Sequence, residues 1–119
     1  MKALTKAKTL RSILAEKLTK EAGWQITPIR QESGTTYVKY WHKFELRKKI
    51  GSMDLVDSHE LNDIVNACDL FGASYYAHIP YGKEGVIEFA ISFTEFYTDK
   101  EKAEREAKEQ EGAEGHRSI

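Results

Sequence analysis

The chain has 119 residues, 40% hydrophobic and 11% aromatic, which is enough for one core and one domain. Its single cysteine, Cys68, excludes an internal disulfide and a cysteine-based zinc cluster, and fits a reducing compartment. A net charge of -1 hides a segregation: residues 1–49 carry twelve Lys/Arg against four Asp/Glu, residues 50–97 one lysine against eight acids, and residues 98–119 five bases against seven acids.

Such a chain has a dipolar surface unless the fold interleaves its halves. No apolar run reaches the roughly 20 residues needed to cross a bilayer. The start, MKALTKAKTLRSILAEK, lacks a continuous apolar stretch and a small-residue cleavage site. The sequence therefore reads as a soluble, unexported, cytoplasmic protein with no membrane partner.

Leu4, Leu10, Ile13, Leu14 and Leu18 share one side of a helix, which predicts an amphipathic helix over 5–21 stopped by Gly23. Trp24 to Arg30 reads as a short strand, pushed to a sheet edge by Pro28, and 31–34 as a turn. From Thr35 to Lys49, Val38, Tyr40, His42, Phe44 and Leu46 alternate with Tyr37, Lys39, Trp41, Lys43 and Glu45. That is the period-two pattern of a strand with one dry face and one wet face, and the wet face is aromatic and basic.

After Gly51-Ser52 releases the chain, Asp57 and Glu60 form a capping box, with Val56 and Leu61 in the staple positions. Leu61, Ile64, Val65, Cys68 and Phe71 then make the apolar stripe of a helix over 58–71, ended by Gly72. Ser74 to Pro80 reads as a third strand and 81–85 as a turn. From Val86 onward, Ile87, Phe89, Ile91 and Phe93 point one way and Glu88, Ala90, Ser92 and Thr94 the other. The order helix, glycine, strand, turn, strand thus occurs twice, although the two halves share few side chains. Thr98 and Glu101 open a last helix, laced with charges four residues apart but carrying only Ala103 and Ala107 as apolar residues. It is expected to project into solvent, with 112–119 disordered.

These elements predict an α+β domain over 1–97. Its four-stranded, mainly antiparallel sheet, in αββαββ order, is packed on one face by the helices 5–21 and 58–71. A charged C-terminal helix and flexible tail follow over 98–119. The expected core is Leu14, Leu18, Leu61, Ile64, Val65, Cys68, Ile87, Phe89, Ile91 and Phe93.

No phosphate-binding glycine loop, zinc-binding HExxH or nucleophile–base pattern is visible, so no cofactor or metal is expected. His78 and Glu88 could meet across the second hairpin, and His42 lies in a separate strand; cross-strand polar pairs of this kind are common and no third group accompanies them. His59 belongs to a helix surface and His116 to the tail.

The candidate binding residues are Tyr37, Lys39, Trp41, Lys43, Arg47, Lys48 and Lys49, which could stack bases and neutralise phosphates, with Lys6, Lys8 and Arg11 joining from the first helix. The same residue types are enriched at protein interfaces. Small size, segregated charge and absent catalytic motifs match the general character of small regulators carried by phages and mobile elements. The sequence thus reads first as a non-catalytic protein-binding regulator, adaptor or inhibitor. A nucleic-acid-binding protein is the alternative, and a small enzyme with a His/Glu dyad the third reading.

Overall fold

Two eleven-residue strands, β3 (Lys39–Lys49) and β5 (Val86–Phe96), pair antiparallel along their whole length and form the centre of the sheet. The computed structural model describes residues 2–34, 38–50, 56–80 and 85–117. Around this pair the order is α1 (Ala3–Lys17), β1 (Trp24–Ile26), β2 (Arg30–Ser33), β3, α2 (Ser58–Phe71), β4 (Ser74–His78), β5 and α3 (Asp99–Arg117). The protein is α+β, and all four described strand pairings are antiparallel: β1 and β2 both lie on β3, β3 on β5, and β5 on β4.

The sheet has five strands where the sequence predicted four. The expected strand 24–30 is two strands, and Gln31–Ser33, expected as a turn, belongs to the second. Pro28 cannot donate to a ladder, so the regular pairing lapses over Thr27–Ile29, where the Thr27 amide still donates to the Glu45 carbonyl (3.0 Å). The freed polar groups are met from both faces. Arg11 of α1 donates to the carbonyls of Thr27 (2.8 Å) and Ile26 (3.2 Å), and the Thr27 hydroxyl donates to the Glu45 carboxylate (2.7 Å).

Helix α1 also stops earlier than Gly23. Leu18 leaves helical geometry (φ -102°, ψ 94°) and drops into the core, and the Thr19 hydroxyl accepts the Ala22 amide. Gly23, at φ +94°, instead ends the turn that leads into β1. Helix α2 starts and stops as its sequence directs, with the Asp57/Glu60 capping box complete and Gly72 in the left-handed conformation at its end.

Both helices pack on one face of the sheet. Ala7, Leu10 and Leu14 of α1 and Ile64, Ala67 and Cys68 of α2 enclose Phe44, Leu46, Phe89, Ile91 and Phe93 with Leu18 and Trp24. Leu61, expected in this core, is exposed and Val65 is half-buried; they lie on the flank of α2 turned from α1. Val38, expected on the dry face, precedes the strand and is exposed.

The β3–β5 pairing is centred on Phe44 opposite Ile91, both fully buried. About that point each half of the chain supplies a helix, an outer strand and an inner strand, so the strand order is outer, inner, inner, outer. The recurrence visible in the sequence is therefore an approximate two-fold relation in space.

Helix α3 runs on to Arg117, past the point where a disordered tail was expected, and its described side chains are exposed. It contributes to a radius of gyration of 18.2 Å, against roughly 14 Å for a compact chain of this length.

Candidate functional site

Strand register sorts the helix-free face of the sheet into rows. From one end they read Lys49–Val86, then Gln25–Arg47–Glu88–His78, then Glu45–Ala90–Tyr76, then Arg30–Lys43–Ser92–Ser74, then Glu32–Trp41–Thr94, and last Lys39–Phe96. Strands from the basic first half and the acidic second half are neighbours here, so charges that are segregated in sequence alternate in space.

Ion pairs neutralise the middle of the face, two of them within the first half and one, Arg47–Glu88, across the two halves. Arg47 Nε lies 2.8 Å from Glu88, Lys43 Nζ 3.0 Å from Glu32, and Arg30 holds Glu45 with both arms of its guanidinium. The Arg30 hydrogen bonds keep the Glu45 carboxyl well below the usual carboxylate range despite its burial, with the Thr27 hydroxyl adding to the effect. Lys43, and after it Arg30, does the same for Glu32.

The predicted binding residues divide accordingly. Lys39, Trp41, Lys43, Arg47 and Lys49 share the open face by register; Tyr37 lies outside the described residues. Lys48 points to the helices. It is buried, its ammonium lies 5.5 Å from the Trp24 ring centroid, and it donates to Glu60 at 2.7 Å, where the Trp24 indole N–H also donates. Burial pushes the Glu60 carboxyl up, but the Lys48 and Trp24 hydrogen bonds outweigh it and hold the group below its ordinary value. Lys6, Lys8 and Arg11 cannot extend the basic track, because α1 packs on the opposite face and Arg11 is engaged with the β1–β2 break.

Among the described residues of the open face, Lys39 and Lys49 near its two ends and a set of aromatic rings have no ionic partner. Phe96 is 68% exposed and Tyr76 59% exposed, while Trp41 is half-buried beneath the Lys39 ammonium, 5.6 Å from the ring. Between them lie the small side chains of Ala90, Ser92, Ser74 and Thr94, giving a shallow floor with aromatic margins. Tyr76, Phe96, Arg30 and Glu32 were not picked out as site residues from sequence, and Glu88 only as the partner of His78. The alternation of β5 places Glu88 on this face, but only the register places Arg47 beside it.

The expected His78–Glu88 approach occurs, with His78 Nε2 3.6 Å from Glu88 Oε1, yet the other Glu88 oxygen is held by Arg47. The carboxylate thus links β3 and β4 across β5. His42 is buried on the helix side, 3.5 Å from Glu95 and edge-on to Tyr40. Burial, with Asp69 adding, pushes the Cys68 thiol up to about 12, so it is a packing residue rather than a nucleophile. Among the described residues no group of three or more His, Cys, Asp or Glu is placed to hold a metal, and no helix is long and apolar enough to cross a membrane.

Comparison with protein-family models, with curated proteins and with solved structures finds no match to this chain.

Proposed function

We propose that the protein is a non-catalytic protein-binding module that receives its partner on the open face of the sheet, over Trp41, Tyr76 and Phe96. The observation that carries this reading is the pairing of Arg30, Lys43 and Arg47 with Glu45, Glu32 and Glu88 beside exposed aromatics. A phosphate track needs cations free to release counterions on binding. Cations already matched with carboxylates would have to lose those partners first. Exposed aromatic rings around small residues, beside a polar field neutralised at its middle with Lys39 and Lys49 left at its ends, suit a protein interface, where Tyr, Trp and Phe are enriched.

The test is capture of a partner from the native host, with and without nuclease, by the wild-type chain and by Trp41→Ala and Phe96→Ala. A partner retained through nuclease treatment but lost in both variants, with their melting temperatures within a few degrees of wild type, supports the reading. Capture abolished by nuclease, or oligonucleotide binding that falls steeply with salt, overturns it in favour of nucleic acid.

A further inference from the structure

The two outer edges of the sheet differ. On the first half, the edge is broken at Pro28 and carries Arg30 and Glu32, the devices by which edge strands resist pairing. On the second half, β4 is an unbroken strand, Ser-Tyr-Tyr-Ala-His, with no lysine, proline or carboxylate inside it. Its outer side pairs with no other described strand.

The helix side of β4 is also uncovered. Register puts Tyr75 and Ala77 on the same face as Phe89 and Ile91, yet both are exposed, and Ile79 just beyond is 65% exposed. After the Gly72 turn the strand runs back beside α2, with the Tyr75 hydroxyl 3.5 Å from Asp69. The eight residues from Asp69 back to Leu61 and the four from Tyr75 to Ile79 both span about 12–13 Å. The exposed Leu61 and half-buried Val65 share with Asp69, at i, i+4 and i+8, the flank of α2 that faces this edge.

We infer that this edge is completed by a second copy of the chain, β4 pairing antiparallel with β4 about a two-fold axis at Tyr76. The strand is self-complementary in that register. Tyr76 faces Tyr76 of the second copy, the large Tyr75 faces the small Ala77, and Ser74 faces His78, so no like charges oppose one another across the strand pair. The two α2 helices then lie on the same face, on either side of the axis. Leu61, Val65, Tyr75, Ala77 and Ile79 from both chains form the apolar layer between them, continuing the core outward. Apart from Tyr76, whose ring sits at the axis, the open face stays free, and the inference does not rest on the proposed function.

The experiment is sedimentation equilibrium of the full chain, with Ala77→Lys and Tyr76→Cys alongside wild type. Wild type should sediment at twice 13.6 kDa at concentrations of about 10–100 μM, the range where an interface of modest size is populated. Ala77→Lys, at an exposed position, should sediment as a monomer with unchanged circular dichroism. Tyr76→Cys should form an intermolecular disulfide under mild oxidation, while Ser74→Cys should not, because only position 76 meets itself. A wild-type monomer overturns the inference and leaves the edge to a strand of another protein. A dimer that survives Ala77→Lys, or that cross-links through position 74, places the interface elsewhere and overturns it equally.

Discussion

Replacing Glu45 by glutamine tests whether the open face is held by charge or merely by shape. The Glu45 side chain is 7% exposed, and it accepts the Arg30 guanidinium and the Thr27 hydroxyl together, across the break in the outer strand. Glutamine keeps the volume, but its amide nitrogen turns a donor toward a donor. Breaking a fully buried ion pair costs about 3–5 kcal/mol, and an exposed one about 0–1 kcal/mol. Because Arg30 is 43% exposed and can be rehydrated, the expected cost of Glu45→Gln lies between these limits, about 2 kcal/mol. For this length that is roughly 8 °C in melting temperature.

The pH dependence supplies the sign. Glu45 titrates lower in the folded chain than its ordinary value of 4.5. Its stabilisation is therefore fully present above about pH 4.5 and is lost as pH falls through the folded value. Urea melts of wild type and Glu45→Gln should differ by the full amount at pH 6 and converge toward pH 2. A difference that stays constant across that range would refute the argument, because it would assign the loss to packing.

Two further outcomes follow from the packing. Phe44→Ala, at the centre of the β3–β5 pairing with no exposed surface, should cost about 3–5 kcal/mol in denaturant melts; a loss under 1 kcal/mol would mean the core is not built around that pair. Removing residues 98–119 takes away the exposed described side chains of α3 and the stacking of Arg105 on Tyr97, so the melting temperature should move by only a few degrees, and a chain that no longer folds would show that the helix docks.

What was legible in the sequence is what neighbouring residues decide among themselves. The ends of α2 follow from Asp57, Glu60 and Gly72, and the two faces of β5 follow from its own alternation. What was not legible depends on residues far along the chain. The break after Ile26 is tolerated because Arg11 and Glu45 reach its polar groups from opposite faces. Lys48 alternates onto the dry side of its strand, where only Glu60, on a later helix, makes an ammonium tolerable. The open face reads as a basic track from β3 alone and as a balanced lattice once Glu32 and Glu88 are set beside it.

The approximate two-fold relation about Phe44 and Ile91 bears on how the chain reaches this state. Each outer strand meets its inner strand across a short stretch of sequence, so the two hairpins can form early and independently. Joining them means bringing together, at the centre of the pairing, residues 47 positions apart, and each inner strand presents a bare edge of unpaired N–H and C=O groups until that happens. The slow step expected of such a topology is an internal docking event, equivalent to dimerisation within one molecule. A newly made chain must complete it before a neighbouring molecule offers the same edge, and crowding many chains together at that moment favours the exchange of halves between molecules.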